Sequence, residues 1–147
     1  MQGFSLLELM VVIAIMVLLT LLAVPNYKRF IAKSKRAECH LNLAAIATAE
    51  ELYQAEHGEY TDRLQGANSV GFAPLGSTIY SYGFAGKQGI NWVAATQGKV
   101  EAMPTSARVT PDGFVVAAVA DIDGDGIADI VTIDQRRVIT IVQDDLQ

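Results

Sequence analysis

The sequence predicts an α+β chain. A long amino-terminal α-helix spans a membrane with its first half and carries an antiparallel β-sheet of about four or five strands on its carboxy-terminal half. Three observations predict this. Phe4–Val24 is apolar or small at every position but Glu8, a run of 21 residues, and about 20 such residues cross the hydrocarbon of a bilayer. From about Asn26 to Glu56 there is no Gly or Pro and the residues favour helix. From Ile79 onward, short runs rich in β-branched and aromatic residues alternate with glycines and polar clusters.

The first element is the apolar stretch GFSLLELMVVIAIMVLLTLLAVPNY, Gly3 to Tyr27. A cleaved signal peptide would have a shorter apolar core and a small-residue cleavage site after it. Here Pro25, Tyr27 and a basic run follow instead, so the segment is expected to stay on the protein. Glu8 is the anomaly, because a lone carboxylate in a membrane span costs free energy unless something answers its charge. Residues 4–27 are therefore read as a hydrophobic transmembrane helix and 28–147 as a globular domain.

Charge divides the chain in two. Lys28, Arg29, Lys33, Lys35 and Arg36 form a neck of +5, which suits lipid headgroups. From residue 37 onward 6 Lys and Arg face 15 Asp and Glu, leaving the head at −9. An acidic head repels phosphate backbones, so nucleic acid is a poor candidate partner. No Gly-rich phosphate loop, nucleophile elbow or His–carboxylate metal spacing points to an enzyme.

Along the second half of the helix, 28–57, the residues Cys39, Leu43, Ile46, Ala49 and Tyr53 recur on one face. Gly58 is the expected terminator. Cys39, the single cysteine, reads as buried packing and cannot form an intrachain disulfide, while His40 is expected in solvent. A loop region follows over 58–78. The β-sheet region, 79–147, offers strands at Ile79–Phe84, Ile90–Ala95, Phe114–Ala120, Asp129–Ile133 and Arg137–Val142.

The stretch DIDGDGIAD, Asp121 to Asp129, is the second informative motif. Asp121, Asp123 and Asp125 alternate, Gly126 permits a sharp turn and Asp129 closes the set. Calcium takes six to eight oxygens at about 2.3–2.6 Å, and this spacing wraps carboxylates around one point, with the Ile127 backbone carbonyl as a further ligand. The loop departs from an EF-hand, since Thr132 stands where the bidentate Glu belongs. Asp134, Asp144 and Asp145 lie outside the spacing and are read as solvated. The competing reading is an Asp-Gly hairpin turn, which needs only one or two of these residues.

GFSLLE followed by an apolar helix, with Pro25 and Tyr27 at its end, resembles the amino terminus of type IV pilins and their pseudopilin relatives. TAEELYQAEHGEYT, Thr48 to Thr61, resembles the end of their long helix. The resemblance implies that a prepilin peptidase cuts after Gly3, which makes residues 1–3 a prepilin leader remnant, and that Phe4 becomes an N-methylated terminus. It implies that Glu8 is kept to align subunits, its carboxylate meeting the Phe4 amine one helical turn away, in the same chain or a neighbour. Pro25 would let the helix loosen during packing. The precursor would wait in the inner membrane, and assembly machinery would draw it, with identical or related subunits, into a helical surface filament for adhesion or motility. The basic neck of one subunit would face the acidic head of another, and a bound calcium ion would replace the disulfide with which many pilins close this region. The usual basic leader is not matched by Met1–Gly3. Two other readings stay open: a pseudopilin of a type II secretion system, and a membrane-tethered calcium-binding module.

Overall fold

The computed structural model describes residues 5–98 and 102–146, without the side chains of Pro25 and Lys28. One helix, α1, runs from Leu6 to His57. Ser5 caps its start: the Ser5 hydroxyl accepts from the Glu8 amide at 3.2 Å, and the Glu8 carboxylate accepts from the Ser5 amide at 3.4 Å. This reciprocal pair satisfies two of the donors that every helix start leaves orphaned. At the other end Gly58 adopts φ +82° and its amide bonds to the Gln54 carbonyl at 2.8 Å. Glycine takes this left-handed cap without steric cost, as the sequence predicts.

The helix divides by what surrounds it. From Leu6 to Val24 its apolar side chains are exposed on every side, and by length and composition it can cross a membrane. Its polar groups turn back on the helix itself, Thr20 Oγ1 donating to the Met16 carbonyl and Asn26 Nδ2 to that of Leu22. Such self-satisfaction suits a medium that offers no hydrogen bonds. The helix continues through Pro25 without a break.

Beyond the neck, one face of α1 is buried through Ala32, Cys39, Leu43, Ile46 and Ala47. Against it lies a six-stranded sheet: β1 (Ser81–Gly83), β2 (Trp92–Val93), β3 (Arg108–Thr110), β4 (Gly113–Ala120), β5 (Asp129–Asp134) and β6 (Ile139–Gln143). The strand order is β2-β1-β4-β5-β6, with β3 also paired to β4, and every named pairing is antiparallel. The central strand β4 is apolar on both faces. Val116, Ala118 and Ala120 join the helix-side core with Tyr80, Tyr82, Phe84 and Phe114. Ala117 and Val119 join a second cluster with Trp92, Met103 and Ala107. Burial on both faces explains why its sequence reads as a continuous apolar run rather than an alternation.

The sheet has one strand more than the sequence indicated. Arg108–Thr110 pairs with Val115–Gly113 across the Pro111-Asp112 turn. Its own residues carry a weak strand signal, but the Pro-Asp-Gly sequence is a turn signal that points to it. The expected strand 79–84 contracts to β1, 90–95 to β2, and 137–142 shifts to β6. At Gly83 a Cβ would sit 2.4 Å from the Asn91 carbonyl oxygen, so backbone approach, not side-chain pairing, shapes this short β1–β2 corner. Cys39 is buried as expected. His40 is not in solvent; it is half-buried, and its Nε2 is enclosed without a partner among the described residues.

Glu50 is fully buried on the core side of α1, and the sequence pattern did not single it out. One carboxylate oxygen accepts from the Thr61 amide at 3.2 Å and the other has no partner among the described residues. Burial pushes this carboxyl up to about 7, the Thr61 amide opposes the rise and the Asp62 charge adds to it. Unfolded, it titrates near its ordinary 4.5. Between these values the folded state holds a proton that the unfolded state has released, so stability falls as pH rises through the window. Glu50→Gln is therefore expected to be nearly neutral below about pH 4 and stabilising by about 2–3 kcal/mol at about pH 8. Urea denaturation in detergent micelles at both pH values checks this; an equal effect at the two would sink it.

Candidate functional site

Two features carry chemistry: the start of α1 and the loop between β4 and β5. Gly3 and Phe4 lie outside the described residues. Glu8 stands in the first helical turn and its carboxylate points back along the chain to Ser5. Ser5 is thus a partner that motif reading passed over, although S-x-x-E is a capping-box signature. The cap positions a carboxylate at the positive end of the helix dipole, where negative charge is favoured.

The β4–β5 loop divides its acids between two tasks. Asp121, Asp123, Asp125 and Asp145 each offer a carboxylate oxygen, and these oxygens lie within 4.8 Å of one another. The sequence expectation had Asp129 as the closing member. Instead its carboxylate is fully buried and outside that group. There Arg36 meets both its oxygens, at 2.5 and 3.2 Å, and the Tyr80 hydroxyl donates to it at 2.7 Å. Arg36 also reaches Asp144 at 2.6 Å, and Lys35 Nζ donates to the Ile122 carbonyl at 2.6 Å. Ile127 is exposed at the loop tip.

Three expectations are corrected by this arrangement. Asp145 is not solvated: it is 5% exposed and joins the loop. Asp144 is paired with the neck, and Asp134 accepts from the Arg136 and Val138 amides in the β5–β6 turn. Lys35 and Arg36 are used inside the subunit, whereas Arg29 and Lys33 remain exposed. The physical reason is sequence distance. Arg36 and Asp129 are 93 residues apart, and no local spacing registers such a pair. Burial pushes the Asp145 carboxyl above its usual range, against the pull of the Ile122 and Asp123 amides.

Residues 1–24 match the family model described as the prokaryotic N-terminal methylation motif. The chain is 42% identical over 81 residues to the type IV major pilin protein PilA of Myxococcus xanthus. The chain thus carries the amino-terminal methylation motif and is similar, over about half its length, to a type IV pilin. The PilA match takes in 55% of this chain and 36% of that protein. A second similar protein, prepilin peptidase-dependent protein D of Escherichia coli, is 33% identical over 69 residues, 47% of each chain. A third, the type II secretion system core protein G of Klebsiella pneumoniae, is 36% identical over 73 residues, 50% of this chain and 52% of that one. The chain thus spans about a third to a half of the length of the curated relatives it matches.

The matched motif covers one of the two features. The apolar helix and its Glu8 belong to the shared amino-terminal motif. The acidic loop and its link to the neck lie beyond the residues matched by that model.

Proposed function

We propose that this chain is the structural subunit of a type IV pilus filament, cleaved by a prepilin peptidase after Gly3 and polymerised through α1. One observation carries the reading: an apolar helix bare on every side from Leu6 to Val24, continuous with a head whose own core is complete without it. Such a half-helix needs a second covering, lipid before assembly and neighbouring helices after it. Transfer between the two then exposes little apolar surface to water. Repetition of one packing step without closure makes an open filament. Phe4, once freed and methylated, presents a cationic amine to the Glu8 carboxylate of its own or an adjacent chain. Pro25 removes one backbone donor and gives the helix a place to loosen as it packs. The subunit waits in the inner membrane and functions on the cell surface in adhesion or motility. The relative in PilA of Myxococcus xanthus supports a pilus subunit; the core protein G relative supports the neighbouring reading, a secretion pseudopilin.

Intact mass and amino-terminal sequence of the protein in sheared surface filaments test this. A chain that begins at methylated Phe4 and is abundant in the filaments is the expected result. Processing at Gly3 without surface filaments would favour the pseudopilin, and an unprocessed chain confined to membranes would defeat both.

A further inference from the structure

Just past the end of α1 the chain turns at Gly58, and the Thr61 amide then donates to the Glu50 carboxylate at 3.2 Å. Among the described residues this is the only hydrogen bond made by the main chain of Glu59–Thr61. The Tyr60 ring adds one edge-on contact with Phe114 at 5.3 Å. The next stretch is held differently, the Leu64 and Gln65 amides both donating to the Ile90 carbonyl, at 2.8 and 3.1 Å. Two open clefts border the segment, one lined by Thr61, Asp62 and Arg108, the other by Gly58, Thr110 and Pro111.

Glu50 is poorly placed for a permanent charge. It is fully buried, and its second oxygen is enclosed without a partner among the described residues. A buried carboxylate is held ionised by about two or three donors, and here one amide serves. The charged groups around it do not make up the deficit. Asp62 of the loop is itself an acid, and β4 has no titratable residue. Glu51 is turned to Arg137, and Asp134 of β5 to the Arg136 and Val138 amides. His57 is exposed and stacked on Tyr53, while Arg108 of β3 is exposed in the outer cleft.

We propose that Glu50 is a proton-operated latch on Glu59–Thr61: the segment lies closed while the carboxyl is protonated and lifts more often once the proton is lost. In the closed state the unpartnered oxygen carries the hydrogen, and the other accepts from Thr61. When the proton leaves to bulk water, a charge is stranded in the core, and hydration is its relief. Lifting the segment between the Gly58 turn and the bond from Asn91 Nδ2 to the Asp62 carbonyl admits water from the clefts on either side. The opening gives up one amide bond and the Tyr60 contact, so it belongs to the local, low-cost end of native-state motions. Helix and sheet stay in place, because Leu64 and Gln65 remain bonded to Ile90. Burial places the titration of Glu50 at about 7, so the latch works across neutral pH. This device stands independently of the filament reading.

The test is amide hydrogen exchange, read by NMR, of the full-length chain in detergent micelles at about pH 6 and about pH 8, each rate divided by the intrinsic rate at that pH. For a group titrating near 7, openings that follow ionisation become about tenfold more frequent between the two. Thr61 protection is therefore expected to fall by about tenfold while that of Leu64 and Gln65 stays level. Glu50→Gln keeps an oxygen for the Thr61 amide but cannot ionise, so its Thr61 protection is expected to be equal at the two pH values. In the wild type the carboxyl carbon shift of Glu50 should turn over in the same range. Unchanged Thr61 protection in the wild type, or a Glu50 carboxyl already ionised at the lower pH, would overturn the proposal. So would a fall shared by Leu64 and Gln65, which marks opening of the whole loop. An equal fall in Glu50→Gln would assign the response to His57 or another group and overturn it as well.

Discussion

Glu8→Ala is expected to reduce the share of the protein found in sheared filaments by at least about tenfold, which corresponds to only 1.4 kcal/mol of assembly free energy. The expected loss is at the low end, because an unpaired charge left in a low-dielectric core costs several kcal/mol. Here that charge would be the Phe4 amine of the processed chain. The capping box offers another account of the same loss, since Glu8 also accepts from the Ser5 amide. Glu8→Gln separates the two. Glutamine can serve in an S-x-x-Q capping box but carries no charge. If charge pairing aligns the subunits, Glu8→Gln fails as severely as Glu8→Ala. If it assembles like the wild type, the role of Glu8 is the cap, and pairing with the Phe4 amine is refuted. Immunoblots of filament and membrane fractions, normalised to total protein, read both variants.

Arg36→Ala is expected to destabilise the head by about 3–5 kcal/mol, the usual cost of removing one partner from a buried ion pair. Asp129 would stay fully buried with the Tyr80 hydroxyl and the Asp145 amide but without its cation. Tyr80 cannot take up the charge, because burial and the Asp129 carboxylate push its phenol well above the usual range. Denaturant melts of Arg36→Met, of an Asp129→Leu variant and of the double variant carrying both check the origin of the effect. The double variant is expected to lose less than the sum of its singles, since it buries no unmatched charge. Additive losses would show that the Arg36–Asp129 pair is not the unit of stabilisation. By contrast the Arg137–Glu51 pair, also a close contact at 2.7 Å, is exposed on both sides. Its contribution is expected to be small, because two exposed charges gain little over their hydration and are screened by salt.

Two features of the chain were legible from local patterns for definite reasons. The helix has a period, a cap residue and a glycine stop, and each is a property of neighbours in sequence. Ser5 and Glu8 close the start within one turn, and Gly58 ends the helix where the pattern Cys39–Leu43–Ile46 runs out. Strand β4 announced itself through seven apolar residues in a row, Phe114 to Ala120. Strand β3 did not, because Arg108–Thr110 is only three residues long and exposed at both ends, so no burial pattern marks it.

The acidic loop marks the boundary between the two kinds of knowledge. By itself the sequence determined that Asp121, Asp123 and Asp125 converge, since alternate residues around Gly124 and Gly126 must turn together. It also determined that the apolar helix needs an environment other than water, because Phe4–Val24 is an apolar run long enough to cross a bilayer. Only the tertiary structure decided which acid completes the loop. Asp129 and Asp145 are both near it, and their fates depend on where Arg36 of the helix neck arrives. A guanidinium packed against the base of β5 draws the Asp129 carboxylate inward, and the Asp145 carboxylate fills the loop side. Electrostatic partnership between residues about a hundred positions apart is set by how the helix and sheet dock, and docking is a property of the whole core, not of any spacing within it.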